Sequence, residues 1–105
     1  FMNKEHIAIV LHNMMSEFRV NVSQEPYLPW SELNDDTHQL YYSAIDGVTK
    51  GIFTTPEQIH DYWMEWAKIN KNDHSCIVPY EELSGIEKAK DELVLHMIRI
   101  FSLYL

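Results

Sequence analysis

Cysteine occurs once in this chain, at Cys76, so no disulfide can form within it. A lone thiol fits a reducing compartment. It has no dense basic neighbourhood in sequence to favour a thiolate, and it reads as a small buried hydrophobe. Glycine is scarce, with three residues, and so is proline, with four, leaving little room for linkers or a series of tight turns. Basic residues are outnumbered, eight against sixteen acidic ones, for a net charge of −8. A surface that grips a nucleic-acid backbone or an anionic bilayer needs clustered Lys and Arg, so neither is an expected partner. No apolar run approaches the roughly 18 residues of a membrane span, and no charged-then-apolar leader is visible. The expected location is cytoplasmic. Phe1 ahead of Met2 reads as a foreign residue before the natural start.

Chemistry-bearing motifs are missing too. There is no Gly-x-Ser-x-Gly elbow and no phosphate-cradling glycine loop. The six histidines contain no pair at the i, i+4 spacing that would favour zinc, and Asp35-Asp36 lacks the alternating ligands and mid-loop glycine of a calcium loop. The expectation is a protein that is not an enzyme, with no cofactor, no metal and no calcium site.

What remains is abundant apolar and aromatic material, 46% and 12% of 105 residues, enough for one core. Ile7, Val10, Leu11, Met14 and Phe18 recur at helical steps, predicting a helix over 4–20. A second is expected over 35–49, capped by Asn34, led by Asp35 and Asp36, with Leu40, Tyr41, Ala44, Ile45 and Val48 inward. Gly47 and Gly51 weaken or end it. Thr55 as N-cap, with Pro56 next and Gln58 closing a capping box, starts a third helix whose inward residues are Ile59, Tyr62, Trp63, Trp66 and Ile69. A fourth begins at Ser84, with Glu87 as box partner, and its stripe is Ile86, Ala89, Leu93, Met97, Ile100 and Tyr104. Val94, Ile98, Phe101 and Leu105 add a second apolar side, for the core or for a homodimer contact through this C-terminal helix.

The chain also repeats itself. Leu28-Pro29-Trp30-Ser31-Glu32-Leu33-Asn34 aligns with Val78-Pro79-Tyr80-Glu81-Glu82-Leu83-Ser84 at an offset of fifty, and Leu11-His12-Asn13 with Ile59-His60-Asp61 at forty-eight. The fold class is therefore mainly α: about four helices in two pseudo-repeated helix–loop–helix halves, about 4–50 and 54–105, within one domain over 2–105. At most a short β-hairpin is expected in the 68–78 loop. In each turn the proline aims the chain, the aromatic covers the core end, and the leucine sets the angle at which the next helix begins.

Ile59-His60-Asp61-Tyr62-Trp63, then His74-Ser75-Cys76-Ile77-Val78-Pro79-Tyr80-Glu81-Glu82-Leu83-Ser84 and Glu87-Lys88-Ala89-Lys90-Asp91, resembles the ryanodine receptor repeat over about residues 55–100. The resemblance implies a small stand-alone bacterial or phage protein that acts as an accessory, regulatory module for adenine-nucleotide-like ligands. The family's Gly-Trp…Gly hairpin is absent from Lys68–Asp73, and its His-Pro is His74-Ser75 here. The ligand-site candidates are His60, Trp63, Tyr80, Trp30 and Lys68, with Trp66 in the same aromatic wall and Lys71 or Arg99 as further phosphate partners. The alternative for the aromatics is core packing, and for His12 and His60 a bond to local backbone or carboxylate. A protein-interaction module built on the C-terminal helix is the rival function.

Overall fold

The computed structural model describes residues 2–71 and 73–105. Phe1 and Asn72 lie outside the described residues, and with them the expectation for Phe1 and part of that for the 68–78 loop. Helix α1 spans Lys4–Asn21, α2 Asp35–Thr49, α3 Pro56–Asn70 and α4 Gly85–Phe101. No strand occurs among the described residues, so the hairpin allowed for 68–78 is replaced by turns.

Caps account for where the helices begin. Asn3 and Asn34 each accept a hydrogen bond through the side chain, from the backbone N–H groups of His6 and Thr37. At α3 the full reciprocal box forms, Gln58 N–H to Thr55 and Thr55 N–H to Gln58 Oε1. At α4 only half of the expected box is present. Ser84 Oγ accepts from Glu87 N–H, but the Glu87 carboxylate turns away to Lys90.

Helix α2 ends as its glycine requires. Gly51 takes φ +75°, its N–H bonds Val48 C=O, and Ile52 N–H bonds Gly47 C=O at 2.8 Å, a Schellman closure. Gly47 does not break the helix. It is buried, and the Phe53 ring lies against its Cα, where any β-carbon would overlap the ring.

The two turns share one backbone shape. Pro29 and Pro79 have φ/ψ of −56/149° and −53/148°, Leu33 and Leu83 −78/146° and −71/151°. Between them Trp30–Glu32 and Tyr80–Glu82 each form one turn of 3₁₀ helix, closed by Leu33 N–H to Trp30 C=O and Leu83 N–H to Tyr80 C=O. The duplication read from the letters is a duplication of geometry.

Helix α4 packs on the other three helices, and α1, α2 and α3 complete the bundle. Ile7, Ile45 and Ile98 are fully buried at its centre, with Leu11 and Leu95 nearly so. Each such side chain stabilises the fold by about 1.5–3 kcal/mol.

The stripes differ from expectation in instructive ways. Met15 is buried in place of Met14, because α1 presents Ile7, Leu11 and Met15 in register with His12. Ile69 is 85% exposed: it follows buried Ala67 by two residues, about 200° around the helix. On α4 the buried line is Lys90, Leu95 and Ile98 rather than Ile86, Ile100 and Tyr104, which are exposed. The apolar pattern placed the stripe about one residue, or about 100°, off, since part of the inward face carries charge.

Replacing Gly47 by Ala is expected to lower stability by roughly 1–3 kcal/mol through overlap with Phe53, whereas Ala at Gly85, which faces open space, costs well under that. Thermal unfolding of the two variants checks it, and equal midpoints would refute the close-approach account.

Candidate functional site

The first signal is how the two matched histidines are held. His12 Nε2–H donates to Leu28 C=O at 2.6 Å, and His60 Nε2–H donates to Val78 C=O, also at 2.6 Å. In both halves the acceptor is the carbonyl just before the proline of the turn. A carbonyl only accepts, so Nε2 carries a proton in each ring and Nδ1 is the position left for a second partner. Trp30 and Tyr80 meet these rings edge-on at matching distances, 6.0 and 6.1 Å between centroids.

The halves part company at Nδ1. His12 Nδ1 accepts from Tyr41 O–H at 2.7 Å, which closes that ring completely. The residue fifty positions on from Tyr41 is Asp91, and its carboxyl stands 3.7 Å from His60 Nδ1, beyond hydrogen-bond reach. His60 is 2% exposed, and the Asp91 side chain 15%.

A cleft of about 450 Å³ lies between the halves and is lined by equivalent positions of both. Leu11 with Ile59, Leu33 with Leu83, and Ala44 with Val94 keep it apolar on both sides. Elsewhere the second half carries an aromatic or charged group at the matching position: Trp63 for Met15, Glu87 for Thr37, Lys90 for Leu40 and Asp91 for Tyr41. Trp66, Tyr27, Arg19, Lys71, His74 and Cys76 extend the same wall.

The charges in this cleft are organised. Lys90 is 8% exposed and its ammonium donates to Gln24 Oε1 at 2.7 Å and Glu87 Oε1 at 3.0 Å, so the buried cation has a paired, hydrogen-bonded seat. The Arg19 guanidinium lies 4.5 Å from the centre of the Tyr27 ring, which stacks on His12 at 5.5 Å. Burial pushes the Asp91 carboxyl up to about 7, helped by the Glu87 charge and opposed by Lys90. Burial also holds the His74 ring below its ordinary value, with nearby Lys71 acting in the same direction. The Cys76 thiol is raised, first by burial and then by Glu87, which disfavours a nucleophilic thiolate.

Of the residues singled out in the sequence, His60 and Trp63 line the cleft, their rings stacked at 5.8 Å. Trp66 and Lys71 are there as well, Lys71 over the Trp66 ring. Trp30 and Tyr80 are not in the wall. Trp30 stacks on His38 at 4.0 Å, and Tyr80 carries Lys88 over its ring at 5.6 Å, so each covers its own turn. Lys68 is on the surface, paired with Glu65, and Arg99 bonds Thr54 C=O. Asp91, Glu87, Lys90, Arg19 and Tyr27 line the cleft and were not among the ligand-site candidates. A signal for three of them was present in the fifty-residue alignment, which sets charged Glu87, Lys90 and Asp91 against Thr37, Leu40 and Tyr41.

A family profile for a domain of unknown function, DUF7701, matches residues 13–102. The chain belongs to that family. No curated protein and no solved structure matches it. The match is to DUF7701 and not to ryanodine receptor repeats, so the resemblance noted over residues 55–100 is overturned, and no property rests on it. Its physical reason is visible: Ile-His and Pro-aromatic-x-Glu-Leu are the two ends of the histidine-to-carbonyl clamp, and the DUF7701 domain uses that clamp twice. Such residues report packing.

The Asp91 environment has a testable consequence. The unfolded carboxyl titrates near 3.8 and the folded one near 7, so between these pH values the native state holds a proton that the unfolded chain releases. The stability from this group is present below pH 3.8 and is lost as pH rises through 7. Asp91→Asn should therefore be more stable than the parent at pH 8, by about 1–3 kcal/mol, and equal to it near pH 4. Denaturant melts at the two pH values decide, and a pH-independent difference would remove the buried-carboxyl account.

Proposed function

We propose that this domain is a non-catalytic binding module whose cleft takes a small nucleotide-derived ligand in a sensing or regulatory role. The observation that carries the reading is the concentration of opposites in one place. Three of only eight basic residues, Arg19, Lys71 and Lys90, line a cleft that also holds Trp63, Trp66 and Tyr27, in a chain of net charge −8. Aromatic faces accept a flat base by stacking, each such contact worth about 1–3 kcal/mol, and a cationic rim accepts a phosphate. A volume of about 450 Å³ falls in the range of ordinary small-ligand sites, about 300–1,000 Å³.

Support for binding rather than catalysis comes from the side chains themselves. The one thiol is pushed away from its reactive form, and Lys90 is engaged by Gln24 and Glu87. The cytoplasmic setting remains part of this reading and rests on Cys76, the single cysteine of the chain.

Nucleoside monophosphates, adenine and guanine among them, should raise the unfolding midpoint in a concentration-dependent way by mass action. Trp63→Ala should weaken that response by about tenfold in Kd, while Lys68→Ala, outside the cleft, leaves it unchanged. Isothermal titration gives the constants. Absence of any heat or midpoint shift across the panel would end the ligand reading.

A second reading is favoured by a separate observation. Ile100, Leu103, Tyr104 and Leu105 are 51%, 80%, 55% and 50% exposed, an apolar end to the C-terminal segment. On this reading the domain is an assembly module that pairs with a second copy through that segment. Light scattering at tens of micromolar protein should then give twice the mass of 12.5 kDa, reverting to one copy in Leu103→Glu. A monomer at every concentration rules it out.

A further inference from the structure

Once Asp91 is ionised, the cleft contains two hydrogen-bond acceptors that face one another at 3.7 Å without a donor between them. His60 is 2% exposed, and its Nε2–H is committed to Val78 C=O, which leaves Nδ1 as a lone pair. The Asp91 carboxyl is 3.7 Å away, and among the described residues it receives no hydrogen bond. Lys90, the neighbouring cation, is turned to Gln24 and Glu87 instead. In the other half the same position is closed, because Tyr41 O–H fills His12 Nδ1 at 2.7 Å. The scaffold can thus satisfy this ring by itself, and in the second half it does not. Among the described residues no fully buried side-chain nitrogen or oxygen lacks a partner, so these two atoms keep an opening to the cleft through which a ligand donor can reach them.

We propose that the Asp91 carboxylate and His60 Nδ1 form the base-recognition point of the cleft, and that they select a ligand edge carrying adjacent N–H donors. Among nucleobases this is the guanine edge, whose ring N1–H and 2-amino group both donate. Adenine offers one donor beside an acceptor, and hypoxanthine lacks the amino group altogether. Trp63, stacked on the His60 ring at 21° between planes, supplies the face against which such a base lies, and Lys71 and the Arg19 amino groups, with Arg19 Nε–H held by Glu25 C=O, face the phosphate. Asp91 is then a specificity-determining residue, and the pairing with two acceptors departs from the adenine-type ligand first expected. This inference rests on the nucleotide reading above and narrows it to one base class.

Guanosine and inosine monophosphate differ only by the 2-amino group, which makes them the matched probes. Titration calorimetry at pH 8, above the Asp91 value of about 7, should give guanosine monophosphate an advantage of at least about tenfold over inosine monophosphate. Asp91→Asn, which replaces one acceptor by a donor, should collapse that advantage to within about twofold while inosine monophosphate still binds. Asp91→Ser serves as the second variant should Asp91→Asn lose its helical circular dichroism. Equal binding of the two nucleotides by the parent overturns the base assignment and leaves the nucleotide reading standing. A guanine preference that survives both substitutions overturns Asp91 as its source. If adenosine, guanosine and inosine monophosphates all fail to bind, both readings fall together.

Discussion

Everything in this fold is organised around one hydrogen bond made twice: an imidazole N–H on the first helix of each half, given to the carbonyl that precedes the turn's proline. Proline holds the residue before it extended, so that carbonyl is presented sideways and no helix donor serves it. The histidine serves it and fixes the distance between helix and turn. With proline, 3₁₀ turn, leucine and capping residue in sequence, the next helix can start in only one direction. Each half closes on itself in this way, and α4 then binds all the helices into one bundle.

Using the clamp twice frees the second copy to vary. In the first half the histidine is sealed by Tyr41, and Leu40 beside it is apolar. In the second half the corresponding pair is Asp91 and Lys90, half-buried and buried groups that an apolar core would not choose. The Lys90 charge is tolerated because Glu87 and Gln24 surround its ammonium. Asp91 lacks such a seat: burial first, and then the Glu87 charge, keep its proton on up to about pH 7 against the pull of Lys90. Twelve buried apolar side chains among the described residues, drawn from both halves, offset the cost of a polar cleft wall.

The false kinship has the same origin as the true architecture. Ile59-His60 and Val78-Pro79-Tyr80 looked like a family signature, yet the first half carries Leu11-His12 and Leu28-Pro29-Trp30 in the same spatial relation. Residues that satisfy one another across a turn recur wherever that turn is built. The membership in DUF7701 covers residues 13–102 and so includes both clamps.

Helix boundaries, the doubled turn and the capping of α3 were legible in the letters, since all depend on neighbours three or four residues apart or on a proline's fixed φ. The α3 box at Thr55 and Gln58 is the plainest case. Which side of α4 faces inward was not legible, because inwardness was inferred from apolarity and this helix turns Glu87, Lys90 and Asp91 to the cleft. Met14 against Met15 failed for a related reason: two like residues in succession cannot be told apart without the partner helix. Local rules thus set the elements and their repetition. The cleft, with His60 opposite Asp91 and with Arg19 and Lys71 both in its lining, joins residues dozens of positions apart, and only the packing of the two halves could bring them together.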